Sequence, residues 1–342
     1  MKKVLIVLLA LAIAGGLFAD EVIVSGEVNT GIFFRAGDSY DDPTAELWND
    51  DDAAYIAKIG VSYDADVWGA QIGIKAIDGE EDGVQYDNYF GFYDAHGWLK
   101  FMDGLIILRG GLIDPNVWNT GGWVDTGFAN GGGVRVEVEP FDGLSLGAKF
   151  GFGTQFGPDT ISDFFQETAF GFAFDGGIFG LSASGKVYSE VSDREETDFD
   201  FTAGFGFYGL DIVDIYLGFL AESLIAEGDS TIMVGLNVDI DLGALGAGIE
   251  VGLTMVDGLS EVWIDPFVSF SLSDRITVGG DVGFTFADND GIGLSTIEPG
   301  VYLEYTLGGA TLTPGLGLII TTDHVAESAT DFYAKLLFGW VF

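Results

Sequence analysis

The sequence predicts an all-β protein: one transmembrane antiparallel β-barrel of about 18 strands, with a count of about 16 as the alternative if short loops are miscounted. Three observations carry this. Apolar residues alternate with small, polar or charged ones over run after run, and a strand sends successive side chains to opposite faces. Turn pairs such as Asp103-Gly104 and Asp142-Gly143 separate many of these runs, which is a hairpin signal. The composition joins 48% hydrophobic residues to a formal net charge of −41, with 53 Gly and 7 Pro. Two-sided strands, greasy on one face and polar on the other, produce that combination.

Composition also excludes several classes. Aromatics make up 14% of the chain, too many for a disordered polymer. Gly has no regular period and Pro is scarce, which excludes a collagen-like chain. So acidic a protein repels nucleic acid. With no Cys, disulfides, thiolate metal sites and a lipid-modified N-terminal Cys are all excluded.

The first element is a targeting segment, residues 1–19. Lys2 and Lys3 are its basic start, Val4 to Leu17 its apolar core, and Ala19 its small residue before the cut. Leu17 is large for an A-x-A site. Cleavage removes two lysines and no acid, taking the net charge from −41 to −43. No later stretch approaches the ~18 uninterrupted apolar residues of a transmembrane helix. The expected organisation is a cleaved signal peptide over 1–19 and a single barrel domain over 20–342. Export with neither helix nor lipid anchor leaves the periplasm, the exterior or the outer membrane, and the alternating strands point to the last.

The expected strands follow in order. Val22–Arg35 precedes a loop rich in acid, with Asp41, Asp42, Asp50, Asp51 and Asp52. Ala54–Asp64 and Val67–Ile77 form a hairpin about Ala65-Asp66. Tyr86–Phe101 turns at Asp103-Gly104 into Leu105–Ile113. After the long loop Asp114–Asn130, Gly133–Pro140 sets Val134, Val136 and Val138 against Arg135, Glu137 and Glu139, then turns at Asp142-Gly143 into Leu144–Phe152. Thr168–Phe174 and Ile178–Glu190 flank Asp175-Gly176-Gly177. Thr197–Tyr208 alternates Phe199, Phe201, Ala203, Phe205 and Phe207 with Asp198, Asp200 and Thr202. Ile215–Ser223, Ile232–Asp241, Leu245–Val256, Glu261–Ser273, Arg275–Ala287, Thr296–Leu307, Thr311–Thr322 and Asp331–Phe342 complete the set. Short turns alternate with longer acidic loops, and with both chain ends on the short-turn side an even strand count follows. Pro140, Pro266, Pro299 and Pro314 take lipid-facing positions. Each removes a ladder donor, and bulges are the expected accommodation.

The last strand is the most specific. Phe342, Trp340, Phe338, Leu336, Ala334 and Phe332 share one face, opposite Val341, Gly339, Leu337, Lys335, Tyr333 and Asp331. The stretch resembles the C-terminal assembly signal of bacterial outer-membrane β-barrel proteins, with a terminal aromatic, an aromatic third from the end and alternate apolar residues before it. Trp340 stands where that family usually has Tyr. The resemblance, read with the barrel pattern, is to porins. It implies insertion into outer-membrane lipid by the barrel-assembly machinery, a water-filled channel for passive diffusion of small hydrophilic solutes and ions, no cofactor and no enzymatic activity. A homotrimer is a further implied partner arrangement.

An 18-strand barrel has a backbone diameter of about 35–40 Å, too wide for side chains to fill. Loop Asp114–Asn130, with Trp118, Trp123, Asp125 and Phe128, is the candidate constriction. General porins narrow their lumen with the third outer loop, although the usual loop motif is not present here. Lys58, Lys75, Lys100, Arg109, Arg135, Lys149 and Lys186 fall on the expected lumen side of the first strands, as a basic wall. Asp239, Asp241, Glu250, Asp265, Asp281, Glu298 and Glu304 form an acidic wall on the later ones. Excess acid predicts a cation preference. A sugar-selective channel using Trp98, Trp118, Trp123 and Trp263 as a stacking track, and a plugged structural or adhesin barrel, are the alternatives. Asp94 and His96 share a strand face, as a base and its orienting carboxylate would. No nucleophile motif surrounds them, so a lumen-facing polar pair is the expected role. His324 is placed in an exposed loop. Asp288-Asn289-Asp290-Gly291 resembles the start of a calcium loop but lacks the downstream Glu, so no metal site is expected.

Overall fold

In the computed structural model, residues 22–39, 43–47, 53–81, 84–113, 117–121, 124, 127–129, 131–151, 167–188, 197–225, 230–256, 259–288, 292–322 and 328–341 are described. The segment 1–19, loop acids Asp41, Asp42, Asp50, Asp51, Asp52, Asp159, Asp163 and Asp229, and Trp123, Asp125, Asn289 to Gly291, His324 and Phe342 lie outside the described residues.

The strands are β1 (Val22–Gly37), β2 (Thr44–Leu47), β3 (Ala53–Asp64), β4 (Trp68–Glu81), β5 (Val84–Phe101), β6 (Ile106–Ile113), β7 (Gly131–Phe141), β8 (Leu144–Gly151), β9 (Glu167–Asp175), β10 (Phe179–Tyr188), β11 (Asp198–Leu210), β12 (Val213–Glu222), β13 (Thr231–Asp241), β14 (Leu245–Val256), β15 (Leu259–Ser273), β16 (Ile276–Asp288), β17 (Ile292–Leu307), β18 (Ala310–Thr321) and β19 (Ala329–Val341). From β3 to β19 each strand pairs antiparallel with the next, and β1 pairs with both β3 and β19. The sheet thereby closes on itself as an 18-strand barrel. Among the described strands, β2 is the one outside the ring. It pairs with Ile32–Arg35 of β1, beyond the stretch of β1 that pairs with β3, so it lengthens the first outer loop without widening the barrel.

Outward faces are apolar along their whole height. β18 turns Ala310, Leu312, Pro314, Leu316, Leu318 and Ile320 outward, and β19 turns Phe332, Ala334, Leu336, Phe338 and Trp340 the same way. Ten steps of about 3.4 Å at a tilt near 45° rise about 24 Å, which matches the apolar band of roughly 25 Å in outer-membrane barrels. Inward faces join polar residues to a recurring pair, an aromatic directly opposite a glycine on the next strand. Trp98 faces Gly69, Trp263 faces Gly252, Phe267 faces Gly248, Tyr302 faces Gly279 and Tyr333 faces Gly317. A Cβ on any of these glycines would meet the ring at 2.2–2.4 Å. Much of the glycine content is therefore a set of sockets that let rings lie flat on the wall.

The prolines behave otherwise than expected. Only Pro140 sits in a bulge, within the register shift between Val138 and Phe141. Pro266 stays paired with Ile249 but leaves a gap toward β16, between Ile264↔Phe284 and Phe267↔Asp281. Pro299 pairs with Val282 and leaves a gap toward β18, between Ile297↔Ile320 and Gly300↔Gly317. Pro314 pairs with Leu336 and leaves one toward β17. Register is the same on both sides of each gap, so these are not bulges. A residue in an antiparallel ladder directs its N–H and C=O to one neighbour, so a proline weakens one edge and leaves the other intact. The Asp103-Gly104 turn is also displaced. Met102 and Asp103 have φ of 54° and 58°, so the left-handed pair typical of a tight hairpin begins one residue early.

The sockets give a direct test. Gly317→Val places a branched side chain inside the Tyr333 ring and should destabilise the barrel by about 1–3 kcal/mol, the range for overpacking. Adding Tyr333→Ala should restore much of that loss, as read from urea midpoints of the refolded protein. Equal midpoints for wild type and Gly317→Val would show that the ring has room to move.

Candidate channel lumen and its inserted loop

Cross-strand register puts side chains of one row on one face. The row through Trp98 continues to Arg109, Arg135, Lys149, Ala169, Lys186 and Asp200 on successive strands β5 to β11. One basic residue on each of β6, β7, β8 and β10 is thus brought into one cross-strand row of the inner wall, although in sequence they are spread over 78 positions, from Arg109 to Lys186 inclusive.

The loop between β6 and β7 lies on that row. Trp118 is fully buried against the inner faces of β8 and β9, where a Cβ on Gly147 or Gly171 would meet its ring at 2.9 and 2.8 Å. Ala129 and Ala169 complete the cluster, with Val117 and Phe128 packed against it. Asn119 and Thr120 line a cleft of about 790 Å³ together with Met102, Asp142 and Gly143 of the short turns. The loop leaves the wall at the long-loop end, where Ile113 pairs with Gly131, and so reaches down the inner wall to the short-turn end.

Charge is distributed unevenly beneath it. Glu137 sits two residues from Arg135 on the same face of β7. Its Oε1 accepts from Arg135 Nε at 2.6 Å and from Arg109 Nε at 2.7 Å. Arg135 Nη1 also donates to the Ala129 carbonyl of the loop at 2.8 Å. Arg135, Glu137 and Lys149 are 0%, 2% and 3% exposed. Lys58 meets Glu27 at 3.3 Å, Lys100 meets Asp64 at 2.7 Å and Lys186 meets Glu167 at 3.4 Å. Lys75 is half-buried on the inner face of β4, directly opposite Lys58. Two members of the expected basic wall, Arg135 and Lys149, are therefore buried rather than in contact with the water path, and at least five of its seven residues pair with a carboxylate among the described residues.

His96 extends the same cluster. Its Nδ1 and Asp94 Oδ1 are 2.5 Å apart, both side chains are buried, and Arg109 Nη1 lies 3.5 Å from Nε2. With Asp94 ionised, the imidazole donates from Nδ1 and accepts at Nε2. It is wedged between a carboxylate and a guanidinium, inside the wall.

The opposite half-wall is different. Glu250 stands directly across from Asp265, and Asn237 Nδ2 donates to Glu250 at 3.0 Å. Asp239 faces Gly248, Asp281 faces Gly300, Glu298 faces Gly283 and Glu304 faces Thr277. None of these six carboxylates has a cationic side chain within ion-pair distance among the described residues. Asp241 is set apart from them. It lies at the short-turn edge, exposed, with Oδ1 accepting from Gly243 N–H at 2.7 Å, and it shapes a turn. Trp118 has no exposed face to offer a sugar, and Trp98 is 8% exposed with Arg109 over its ring at 5.2 Å. Trp263 is half-buried beside Gly252. Sequence reading passed over Glu27, Asp64, Glu137 and Glu167, the acids that neutralise the basic row. Arg135 and Glu137, two apart on a strand, carried a signal for one of them.

Removing the anchor should loosen the loop. Trp118→Ala leaves a cavity over Gly147 and Gly171 and should cost about 3–5 kcal/mol of local stability. The expected readout is protease cleavage within 114–130 of the folded barrel at concentrations that spare the wild type. Equal resistance would mean that the ring does not hold the loop.

No protein-family model matches the sequence, and no curated protein does. Solved structures do match. A loop L8 deletion mutant of OmpT, an outer membrane protein of Vibrio cholerae, is similar with a TM-score of 0.55 at 13% identity, over 94% of this chain and 99% of that one. In-vitro folded OmpT in its trimer form gives 0.53 at 13% identity, over 94% and 100%. A multiple mutant of the Rh. blastica porin gives 0.54 at 11% identity, over 94% and 100%. At such identities the likeness is one of fold, and the fold is that of a porin-like outer-membrane β-barrel.

Proposed function

We propose that this protein is an outer-membrane channel for passive diffusion of small hydrophilic solutes and ions, with a preference for cations. The observation that carries the reading is the asymmetry of the inner wall. On one side the basic residues are largely paired with carboxylates, and Arg135 and Lys149 are buried. On the other, among the described residues, Asp239, Glu250, Asp265, Asp281, Glu298 and Glu304 have no cationic side chain within ion-pair distance, and Lys335 and Arg35 act on Asp281 and Glu298 only from farther away. An ion in the open part of the lumen meets a wall on which acids outnumber bases, and a wall with an excess of one sign concentrates counter-ions. The inserted loop narrows the passage, with Trp118 and Phe128 fastening it and Trp123 and Asp125 in the same loop. The acidic loops at the mouth add to the enrichment. Residues 1–19 serve as a cleaved export signal, and Phe338, Trp340 and Phe342 present the last strand to the assembly machinery. A homotrimer is the proposed assembly, by likeness to the trimer form of OmpT.

Two measurements test this. In a potassium chloride gradient across a planar bilayer, the reversal potential should favour potassium, most strongly at low salt, since screening shortens to about 8–10 Å near physiological ionic strength. Replacing Glu250, Asp265 and Glu298 with Gln, Asn and Gln should weaken the preference. A chloride-favouring potential would place the control of selectivity on the basic row. Deleting Phe342 should cut the yield of heat-modifiable folded barrel in the membrane, and wild-type yield would remove the last residue from the assembly signal.

A further inference from the structure

Beside the basic row, two residues along β7 from Arg135, stands an acid, Glu137. We propose that Glu137 is a selectivity-determining residue, keeping the loop-covered half-wall electrically quiet so that the opposite half-wall controls which ions pass. This rests on the channel reading above.

Arg109 and Arg135 are directly opposite one another on β6 and β7, like charges on one face of the sheet. Such a pair is destabilising unless a counter-charge intervenes. Glu137 supplies it, and a single oxygen accepts from both guanidinium groups, at 2.7 and 2.6 Å. The pairing lies beside the loop. Gly147 is opposite Glu137 on β8 and is also the socket for Trp118. Arg135, held from one side by Glu137, reaches the Ala129 carbonyl with Nη1. One carboxylate therefore pairs with two cations, Asp94 adds a second negative charge nearby, and Glu137 orients the arginine that fastens the loop.

Position makes the charge count at a distance. Glu137 is 2% exposed, Arg135 is 0% exposed and the Arg109 side chain 18%. Water and salt screen buried charges much less than exposed ones. Lys149 and Lys186 lie farther along the same row, and Glu167 pairs with Lys186. Asp94 is engaged by His96 on the other flank of Arg109. With these partners committed, neutralising Glu137 leaves one more positive charge facing the lumen. A unit charge about 10 Å from an ion in water changes its occupancy by about twofold.

The test uses the full-length refolded protein in planar bilayers, with three channels compared in the same potassium chloride gradient. In Glu137→Gln the potassium-to-chloride permeability ratio should fall by about twofold or more relative to wild type. In the double variant Glu137→Gln, Arg109→Gln the local net charge is restored, and the ratio should return toward wild type. An unchanged ratio in Glu137→Gln would overturn the proposal. So would a lowered ratio that persists in the double variant, because the shift would then come from loop displacement, which a larger single-channel step would register. The preference of the wild type itself tests the channel reading. The differences among the three test Glu137, whichever ion the wild type favours.

Discussion

Every feature of this molecule depends on a closed hydrogen-bonded ladder in a solvent that offers no hydrogen bonds. An unpaired backbone group facing hydrocarbon costs several kcal/mol, so a sheet can stand in a membrane only when its first and last strands meet. Here β1 and β19 meet over eleven residue pairs, from Glu27↔Val341 to Gly37↔Asp331. That seam joins residues some 300 positions apart in the chain. Nothing local specifies it beyond matching strand length and matching faces.

Closure sets what the rest of the sequence can do. With the outward face committed largely to apolar residues, most polar and charged side chains of the strands go inward, and the lumen becomes a charged space by default. Pro266, Pro299 and Pro314 are tolerated because each leaves a gap on one edge while its other neighbour still pairs. Glycine has a separate use. Opposite each of five inward aromatics it leaves the space of a missing Cβ, and the ring lies down on it. On β8 and β9 the same device serves an outside element. Gly147 and Gly171 receive Trp118 from the β6–β7 loop. An inserted loop needs a flat place on a pleated wall, and glycine provides one.

The two half-walls show that a charge's sign in the sequence does not settle its effect in the channel. Arg135 and Lys149 are cations, yet the loop and the neighbouring wall bury them. Glu137 is an acid whose neighbours are two arginines. Among the described residues, Asp239, Glu250, Asp265, Asp281, Glu298 and Glu304 on β13 to β17 have no arginine or lysine at ion-pair distance. Formal charge is a property of the chain, whereas field in a lumen depends on pairing and cover.

The sequence by itself determined the strand faces, narrowed the ring to about 18 strands with 16 still open, and placed the long loops at one end of the barrel. Alternation over ten or so residues is local information, and so are Asp-Gly turns. The short strand β2, the gaps at Pro266, Pro299 and Pro314, and the turn beginning at Met102 were not legible, because each depends on what a neighbouring strand offers. Only the tertiary structure decided which lumen residues meet. Arg109, Arg135 and Glu137 come together because register aligns β6 with β7. Trp118 finds Gly147 and Gly171 because the loop turns inward instead of outward. Asp241, placed with the acidic wall by parity alone, belongs to a turn because the strand ends there. Parity tells a side chain which face to take. Height along the barrel and contact across strands follow from the register of the closed sheet, which no single segment encodes.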